Sequence, residues 1–353
     1  MAIYQSYIGT YTAKGSVGIE QMAFDSESGT FALVSETAAA NPSYLALSPD
    51  GKFLYAALEA PVYPDKSGAI AAYAVGEDGG LTFLQQVPTV GLPCHVLVHP
   101  SGKALYAANY VGGSLCAFPI NGDGTLGERT FIRHTGHGTN PMRQEAPHCH
   151  QCVLVKTGMG EVLAVCDLGL DALVIYPLLP DHLPADKPIK SLPLPQGYGP
   201  RHAVVTRDGY LYCVCELANR LITFRLLETG AARIGDELTI PEDYEGTSAC
   251  AALRLSADER FLYLTNRFSD TVAVFARGVG GYPQLIQRIP TGGKNPRDCT
   301  LSPDGKCLAI AHQDEGGITV FRVDAETGLL SPLPVSFDLS MPVATLFGPE
   351  IRK

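Results

Sequence analysis

The chain has 353 residues, of which 46% are hydrophobic and 18% charged, and its formal net charge at pH 7 is −10. This composition supports a large buried core and argues against intrinsic disorder. The acidic balance, with no basic run, argues against a nucleic-acid partner. No apolar stretch is long enough for a membrane-spanning helix, so no membrane association is expected.

The N-terminus and the cysteines indicate the compartment. The opening MAIYQSYIGTYT lacks the basic and apolar segments of a signal peptide. Most of the ten cysteines lie inside apolar runs, as Cys166, Cys213, Cys215 and Cys307 do. Such positions are typical of small buried apolar residues in a reducing compartment. A cytoplasmic location is therefore expected.

A strand–turn–strand unit recurs in chain order. It begins as SYIGTYTAKGSVGIEQMAF at Ser6, where the first strand of the unit is missing. Six full units follow, and the turn glycines Gly51 and Gly102 are 51 residues apart, as are Gly158 and Gly209. The full units are NPSYLALSPDGKFLYAALE, LPCHVLVHPSGKALYAANY, HQCVLVKTGMGEVLAVCDL, GPRHAVVTRDGYLYCVCEL, CAALRLSADERFLYLTNRF and NPRDCTLSPDGKCLAIAHQ.

A third strand follows each hairpin, as GSLCAFPI, DALVIYPL, DTVAVFAR and GGITVFRV show. Four-stranded units at this period predict an all-β fold, a seven-bladed β-propeller with antiparallel blades. The C-terminal PVATLF, from Pro342, can supply the strand that the first unit lacks. Pairing of the terminal strands would close the ring and hide the sheet edges. No linker composition divides the chain, so residues 1–353 are expected to form a single domain.

The register of the units predicts which residues meet at one mouth of the central channel. The start of each first strand and the end of each second strand lie at the same end of the hairpin. The first-strand positions are Ser43, Cys94, His150, Arg201, Ala251 and Arg297. The second-strand positions are Glu59, Tyr110, Leu168, Glu216, Arg267 and Gln313.

Three arginines of this set, Arg201, Arg267 and Arg297, indicate an anionic substrate. A single arginine at a strand end usually meets only water. Several cations that converge on one channel repel each other unless an anion or a carboxylate lies between them. Glu216 among them is expected to be ionised and usable as a base or as a hydrogen-bond acceptor.

The HCHQC segment allows two interpretations. His148 and His150 alternate and could share a strand face as a metal pair, and Cys149 and Cys152 have CxxC spacing. A structural zinc site needs a second pair nearby, which the sequence lacks, and positions 149 and 152 of a regular strand face opposite sides. A catalytic or substrate-binding His150 is favoured, with no metal and no cofactor.

Several motifs together resemble the lactonase family of seven-bladed propellers. They are the SPDG-type hairpins, NPRD from Asn295, GPRH from Gly199, HCHQ from His148, ANYVGGS from Ala108 and CDLGLD from Cys166. The family holds bacterial propeller-type 6-phosphogluconolactonases and the fungal 3-carboxy-cis,cis-muconate lactonizing enzyme. The resemblance covers nearly the whole chain and specifies the family better than the substrate.

The resemblance implies that His150, Arg201, Glu216 and Arg267 match catalytic and carboxylate-binding positions proposed for the muconate enzyme, and Arg297 lies in the NPRD motif. The chain departs from the family's pattern at His312 and Gln313 in HQDEGG, and such departures leave the identity of the substrate open. The expected catalytic residues are Glu216, His150 and Arg201. The expected substrate-binding residues are Arg267, Arg297, His148, Asn109 and Gln313.

The favoured function is hydrolysis of a phosphorylated sugar lactone, 6-phosphogluconolactone, to 6-phosphogluconate, a step of the pentose phosphate pathway. Either Glu216 or His150 would be the general base. The alternatives are cycloisomerisation of a carboxylated muconate, and a non-catalytic propeller that binds a ligand or a protein, since propellers host many functions. The expected partner is a small anionic substrate, and the expected state is a monomer or a weak homo-oligomer.

Overall fold

The structure, a computed structural model, describes residues 2–158, 160–228 and 230–351. These residues form seven four-stranded antiparallel sheets, with helix limited to three 3-10 turns at Thr12–Lys14, Leu168–Leu170 and Val279–Gly281. The sheets are the blades of a seven-bladed β-propeller, so the predicted fold is confirmed. Met159, in the predicted hairpin turn of the fourth blade, lies outside the described residues.

The blades are numbered here in chain order, with the closing blade first. Blade 1 consists of β1 (Ile3–Thr10), β2 (Gly18–Asp25), β3 (Thr30–Ala38) and the C-terminal strand β28 (Pro342–Glu350). Blade 2 holds β4 (Pro42–Leu47), β5 (Phe53–Leu58), β6 (Ala69–Val75) and β7 (Leu81–Pro88). Blade 3 holds β8 (Leu92–Val98), β9 (Ala104–Val111), β10 (Ser114–Pro119) and β11 (Thr130–Arg133). Blade 4 holds β12 (Cys149–Thr157), β13 (Gly160–Asp167), β14 (Ala172–Pro177) and β15 (Lys190–Pro193).

The remaining blades follow the same plan. Blade 5 holds β16 (Pro200–Val205), β17 (Tyr210–Cys215), β18 (Arg220–Leu227) and β19 (Gly230–Leu238). Blade 6 holds β20 (Ala249–Leu255), β21 (Phe261–Arg267), β22 (Thr271–Arg277) and β23 (Pro283–Pro290). Blade 7 holds β24 (Lys294–Leu301), β25 (Cys307–Glu315), β26 (Ile318–Val323) and β27 (Leu330–Phe337).

The C-terminal strand closes the ring. β28 pairs antiparallel with β1 and is the innermost strand of blade 1, as predicted for PVATLF. The seven inner strands contact one another in sequence around the channel, from β4 through β8, β12, β16, β20 and β24 to β28 and back to β4. Pairing of the two terminal strands hides the edges that an open ring would expose, which protects the propeller from edge-to-edge association.

The hairpin turns that fix the register have a common mechanism. In blade 2, the Ser48 hydroxyl donates to Asp50 Oδ1 at 2.7 Å and accepts the backbone N–H of Phe53 at 3.0 Å. Gly51 supplies the turn's positive φ of 72°. Blade 6 has Glu259 at the glycine position, and its φ is also positive, at 61°. These short turns make the strand register predictable from the sequence.

Buried tyrosines link neighbouring blades. Each tyrosine lies in the second strand of its blade, as part of an LY pair in every case except Tyr7, and donates its hydroxyl hydrogen to a backbone carbonyl in the outer loop of the next blade. The hydrogen bonds are Tyr7 to Gly79, Tyr55 to Gly124, Tyr106 to His182, Tyr212 to Gly281 and Tyr263 to Gly328. The apolar core therefore lies between the faces of adjacent blades, and each tyrosine satisfies its one buried polar group there.

Two long connections lie outside the strands, between β11 and β12 and between β14 and β15. The first is anchored to blade 4 by Gln144, which is fully buried and donates to Leu168 O and Asp171 Oδ1 at 2.8 and 2.7 Å. This anchor brings the loop to the mouth of the channel. Across the described residues, the structure contains no helix with the length and hydropathy needed to span a bilayer.

Candidate active site

A small, partly open cavity lies inside the predicted mouth. Its free volume is about 10 Å³, close to the space that one water molecule needs. Five of the six first-strand residues expected at the mouth line it, together with neighbours on the same strands and on β28: Ser43, Cys94, His150, Arg201 and Arg297, with Tyr44, His202, Asp298 and Val343. The expected convergence of these five side chains is therefore observed.

A β-bulge directs each of these side chains into the cavity. Ser43 lies at a register shift between β4 and β5, where Pro42 and Tyr44 are paired but Ser43 is not. The same shift leaves one residue unpaired in four other blades: Cys94, His150, Arg201 and Arg297. A bulge places an extra residue in one strand and redirects its side chain, a common device beside active sites.

Three guanidinium groups surround the carboxylate of Glu216. Arg201 Nε and Arg267 Nη2 lie 3.0 and 2.8 Å from Glu216 Oε2, and Arg143 Nη2 lies 2.5 Å from Oε1. Glu216 is 2% exposed. Burial disfavours its charge, but Arg267, Arg201, His150 and Arg143 outweigh burial and hold the pKa of Glu216 well below its usual range. Glu216 is therefore a firmly ionised acceptor, which makes it a weak base.

Arg143 was not predicted from the sequence. It lies in the loop between β11 and β12, outside the propeller repeat that located the other arginines. It also donates to the hydroxyl of Tyr110 at 3.2 Å. The one signal available was that this loop is long and immediately precedes the HCHQ motif. Residues on loops do not follow the register of the strands, so the spacing of the repeated units could not place Arg143 at the mouth.

Arg297 forms the other charged cluster at the mouth. Its guanidinium lies 3.8 Å from Glu59 Oε2 and 3.4 Å from Gln313 Oε1, and it stacks 5.3 Å from the ring centre of Tyr11. The Tyr11 hydroxyl in turn donates to Glu59 at 2.8 Å. Gln313 thus lies at the mouth, beside an arginine, as expected. The four guanidinium groups of the two clusters outnumber their two carboxylates, so the clusters together carry an excess of about two positive charges.

His150 lies beside this charge. It is 5% exposed, and its Nδ1 is 3.8 Å from Cys94 Sγ. Burial, followed by the charge of Arg201, lowers the pKa of His150 well below its usual range, although Glu216 opposes the shift. The imidazole is therefore neutral at pH 7. Its Nε2 has no hydrogen bond to another described residue, so it is available to accept a proton.

Two further polar atoms of the cavity lining lack partners. Within residues 2–158, 160–228 and 230–351, Ser43 Oγ and His202 Nδ1 are buried without a hydrogen bond. Buried polar atoms of this kind normally bind ordered water or a ligand. The cavity therefore combines a neutral imidazole, guanidinium donors and free hydrogen-bonding atoms, which suits addition of water to a polarised carbonyl group.

Comparison with known proteins decides the family. Residues 5–347 match the family model described as Lactonase, 7-bladed beta-propeller. The chain belongs to the lactonase family of seven-bladed β-propellers.

Named lactonases are among the proteins that this chain resembles over its full length. The 6-phosphogluconolactonase of Bacillus subtilis is 33% identical, with 98% of this chain and 99% of the relative covered. The 6-phosphogluconolactonase of Formosa agariphila is 30% identical, with 93% and 95% covered. The solved structure of a periplasmic gluconolactonase of Pseudomonas aeruginosa superposes with a TM-score of 0.90 at 28% identity, with 99% of each chain covered.

The remaining expected site residues of this lactonase-family chain lie outside the cavity lining. His148 stacks on Tyr110 with ring centres 4.4 Å apart, and its Nε2 is 3.2 Å from Glu145 Oε1. Asn109 is fully buried inside blade 3, where its amide donates to Ser114 O at 3.1 Å. Asn109 is therefore placed in the blade interior rather than at the mouth, because it points across the sheet to β10.

The expectation that Cys149 and Cys152 face opposite sides is wrong. Both belong to the same apolar cluster between blades 3 and 4. The bulge at His150 adds one residue to the strand and so reverses the alternation that a regular strand would have. The same bulge separates His148 from His150, which approach the Tyr110 ring in different ways: His148 stacks on it at 4.4 Å, and His150 meets it edge-on at 5.6 Å.

Two groups of potential metal ligands occur among the described residues, and neither contributes to the cavity lining. One joins His134, Cys149 and Asp167, and the other joins His99, Glu161 and His182. In the first group His134 Nδ1 bonds Asp167 Oδ2 at 2.6 Å, and in the second His99 Nε2 bonds Glu161 Oε2 at 2.7 Å. These ligand atoms thus have protein partners already.

Proposed function

We propose that this protein hydrolyses 6-phosphogluconolactone to 6-phosphogluconate at the mouth of the central channel. The observation that carries the proposal is the excess of positive charge at a mouth that also holds a neutral histidine. A phosphate monoester has a charge of about −1.5 to −2 at pH 7, which matches this excess. The names of full-length relatives with this activity support the same substrate.

Arg201 and Arg297 would polarise the lactone carbonyl. Both line the cavity together with His150, so a carbonyl oxygen bound between them would lie near the imidazole. Burial and the neighbouring Arg267 lower the pKa of Arg201 to about 10, against the opposing effect of Glu216, so Arg201 stays charged at pH 7. Donors held in place before reaction stabilise the oxyanion as it forms.

His150 is the better candidate for the general base. Glu216 accepts three guanidinium groups, so both of its carboxylate oxygens already have partners. The His150 imidazole is neutral and has Nε2 free of other described residues. General-base catalysis by a positioned imidazole contributes about 10²–10⁴-fold. Glu216 then has a positioning role, since it holds Arg201 and Arg267 at fixed distances.

The reaction would follow from these positions. His150 Nε2 takes a proton from water as the water oxygen bonds to the lactone carbonyl carbon. The resulting oxyanion is held by Arg201 and Arg297. When the ring C–O bond breaks, the imidazolium returns the proton to the leaving alkoxide, and the product carboxylic acid ionises to solvent. The scheme uses only groups that the chain itself supplies.

The test is hydrolysis of freshly generated 6-phosphogluconolactone, coupled to 6-phosphogluconate dehydrogenase, with the spontaneous rate subtracted. Acceleration that is lost in Arg201→Ala supports the proposal. If the protein leaves the spontaneous rate unchanged, the proposal is wrong. Loss of ultraviolet absorbance from a carboxylated muconate would then assign the arginines to the alternative reaction.

The free thiols support a reducing compartment for this activity. All ten cysteines are unpaired and buried, and such thiols persist where disulfides do not form. We therefore place the proposed lactonase in the cytoplasm, in carbohydrate metabolism of the pentose phosphate type. The Pseudomonas aeruginosa relative is described as periplasmic, so fractionation of the native host is the relevant measurement.

A further inference from the structure

Arg143 differs from the other arginines of the mouth in its support and its exposure. Arg201, Arg267 and Arg297 lie on the strands β16, β21 and β24. Their side chains are 3%, 11% and 16% exposed, whereas that of Arg143, on the loop between β11 and β12, is 42% exposed. Arg143 is therefore the guanidinium group that an incoming substrate meets from the solvent side.

The backbone that carries Arg143 is anchored. Asn140 Oδ1 accepts the backbone N–H groups of Met142 and Arg143 at 3.0 and 3.2 Å. Asn140 O accepts the N–H of Gln144 at 2.7 Å, and the Gln144 side-chain oxygen accepts the Asn140 N–H at 3.0 Å. Because Gln144 is also bound to blade 4, the turn is fixed. Movement of the guanidinium group therefore needs only side-chain rotation.

The guanidinium group can leave Glu216 without leaving the buried carboxylate uncompensated. Arg143 bonds only Oε1, while Arg201 and Arg267 remain on Oε2 and continue to neutralise the buried carboxylate. The other bond of Arg143, to the Tyr110 hydroxyl, is a single hydrogen bond at 3.2 Å. A phosphate group offers a planar guanidinium two parallel charge-assisted bonds, which can replace both the Glu216 bond and the Tyr110 bond.

We propose that Arg143 is a specificity-determining residue that binds the phosphate group of the lactone substrate, exchanging Glu216 Oε1 for phosphate oxygens. This inference rests on the proposed lactone hydrolysis and adds the orientation of the substrate. The lactone ring points inward to His150 and Arg201, and the phosphate remains outside with Arg143. The exchange also frees Glu216 Oε1 to accept a hydrogen bond from the attacking water.

The test compares two substrates that differ only in the phosphate group. We measure kcat and KM for 6-phosphogluconolactone and for unphosphorylated glucono-δ-lactone with wild type, Arg143→Ala, Arg143→Lys and Arg133→Ala. Arg133, the exposed last residue of β11, controls for removal of one positive charge just before the loop that carries Arg143. Circular dichroism and thermal denaturation report whether each variant is folded.

Arg143→Ala is expected to lower kcat/KM for the phosphorylated lactone about 10- to 100-fold, because it removes one or two charge-assisted hydrogen bonds. The loss should be mainly in KM, and the preference for the phosphorylated over the unphosphorylated lactone should fall by about tenfold or more. Arg143→Lys should restore part of that preference, because lysine keeps the charge without the planar fork. Arg133→Ala should keep the wild-type preference.

Calorimetric titration gives a readout that is independent of turnover. Arg143→Ala should weaken binding of 6-phosphogluconate far more than binding of gluconate. An equal loss on both lactones, or equal weakening of both products, overturns the assignment of Arg143 to phosphate. If wild type hydrolyses lactones without any preference for the phosphate, the inference fails while lactonase activity stands. If wild type hydrolyses neither lactone, the proposed function fails first. Should Arg143→Ala not fold, Arg143→Gln serves the same comparison.

Discussion

Replacement of Glu216 by glutamine should destabilise the protein as well as slow it. The change removes the one negative charge that Arg143, Arg201 and Arg267 share. Loss of one member of a buried ion-pair network costs about 3–5 kcal/mol, because the partner charges remain buried without compensation. Unfolding entropy of about 2.1 cal/mol/K per residue gives about 0.74 kcal/mol/K for 353 residues. The expected fall in Tm is therefore about 4–7 °C.

The assay is thermal and urea denaturation of Glu216→Gln beside Glu145→Gln as the matched control. Glu145 is also a carboxylate near the mouth, but its side chain is 55% exposed, so its replacement should change the free energy of unfolding by less than about 0.5 kcal/mol. In the lactonase assay, Glu216→Gln should lower kcat without raising KM, because the mouth gains net positive charge. The fall in rate towards low pH should persist in the pH–rate profile of Glu216→Gln.

One outcome would assign Glu216 the opposite role. If Glu216→Gln retains wild-type Tm but loses turnover together with the fall in rate towards low pH, Glu216 is the proton acceptor and not a positioning group. The ion-pair geometry around Oε1 and Oε2 would then describe only the substrate-free state.

The general base, a buried anchor and the acid stability of the fold can each be tested. His150→Gln should lower kcat about 10²- to 10⁴-fold with Tm near that of wild type; turnover above a tenth of wild type would exclude His150 as the base. Asp171→Ala should lower the free energy of unfolding by about 3 kcal/mol, because the carboxylate accepts hydrogen bonds from the Gln144 amide and from two backbone N–H groups. A urea midpoint equal to that of wild type would contradict this expectation. Burial lowers the pKa of His95 to about 3 and of His312 to about 4, and that of His202 well below its usual range. The unfolded chain thus binds more protons than the folded chain below about pH 6.5. Each histidine should therefore lower the free energy of unfolding by up to about 1.4 kcal/mol per pH unit as the pH falls. A urea midpoint that is equal or higher at about pH 5.5 than at about pH 7.5 would be inconsistent with neutral buried histidines.

The fold could be predicted because its determinants are local and repeated. The Ser–Asp–Gly turn that holds Ser48, Asp50 and Gly51 fixes one register, and the same turn returns in other blades. Once the register is known, the positions that share a channel end follow by counting. That is why Cys94 and Arg201, 107 residues apart in the sequence, could be predicted to line the same space.

The errors arose where the chain departs from regular alternation. The bulge at His150 adds a residue, and so Cys149 and Cys152 meet on one side of the strand. Asn109 belongs to a motif of the mouth by sequence, yet its side chain turns to Ser114 inside the blade. Arg143 lies on a loop whose position depends on the buried hydrogen bonds of Gln144. The repeat of the propeller units in the sequence does not indicate those bonds.

The proposed hydrolysis at the mouth is tested by the rate of 6-phosphogluconolactone opening with wild type, Arg201→Ala and His150→Gln, each with and without a chelator. We expect acceleration by wild type that is unaffected by the chelator and lost in both variants. Acceleration that persists in both variants would place the chemistry elsewhere in the molecule. Acceleration abolished by the chelator would contradict a reaction that uses only the side chains of the mouth.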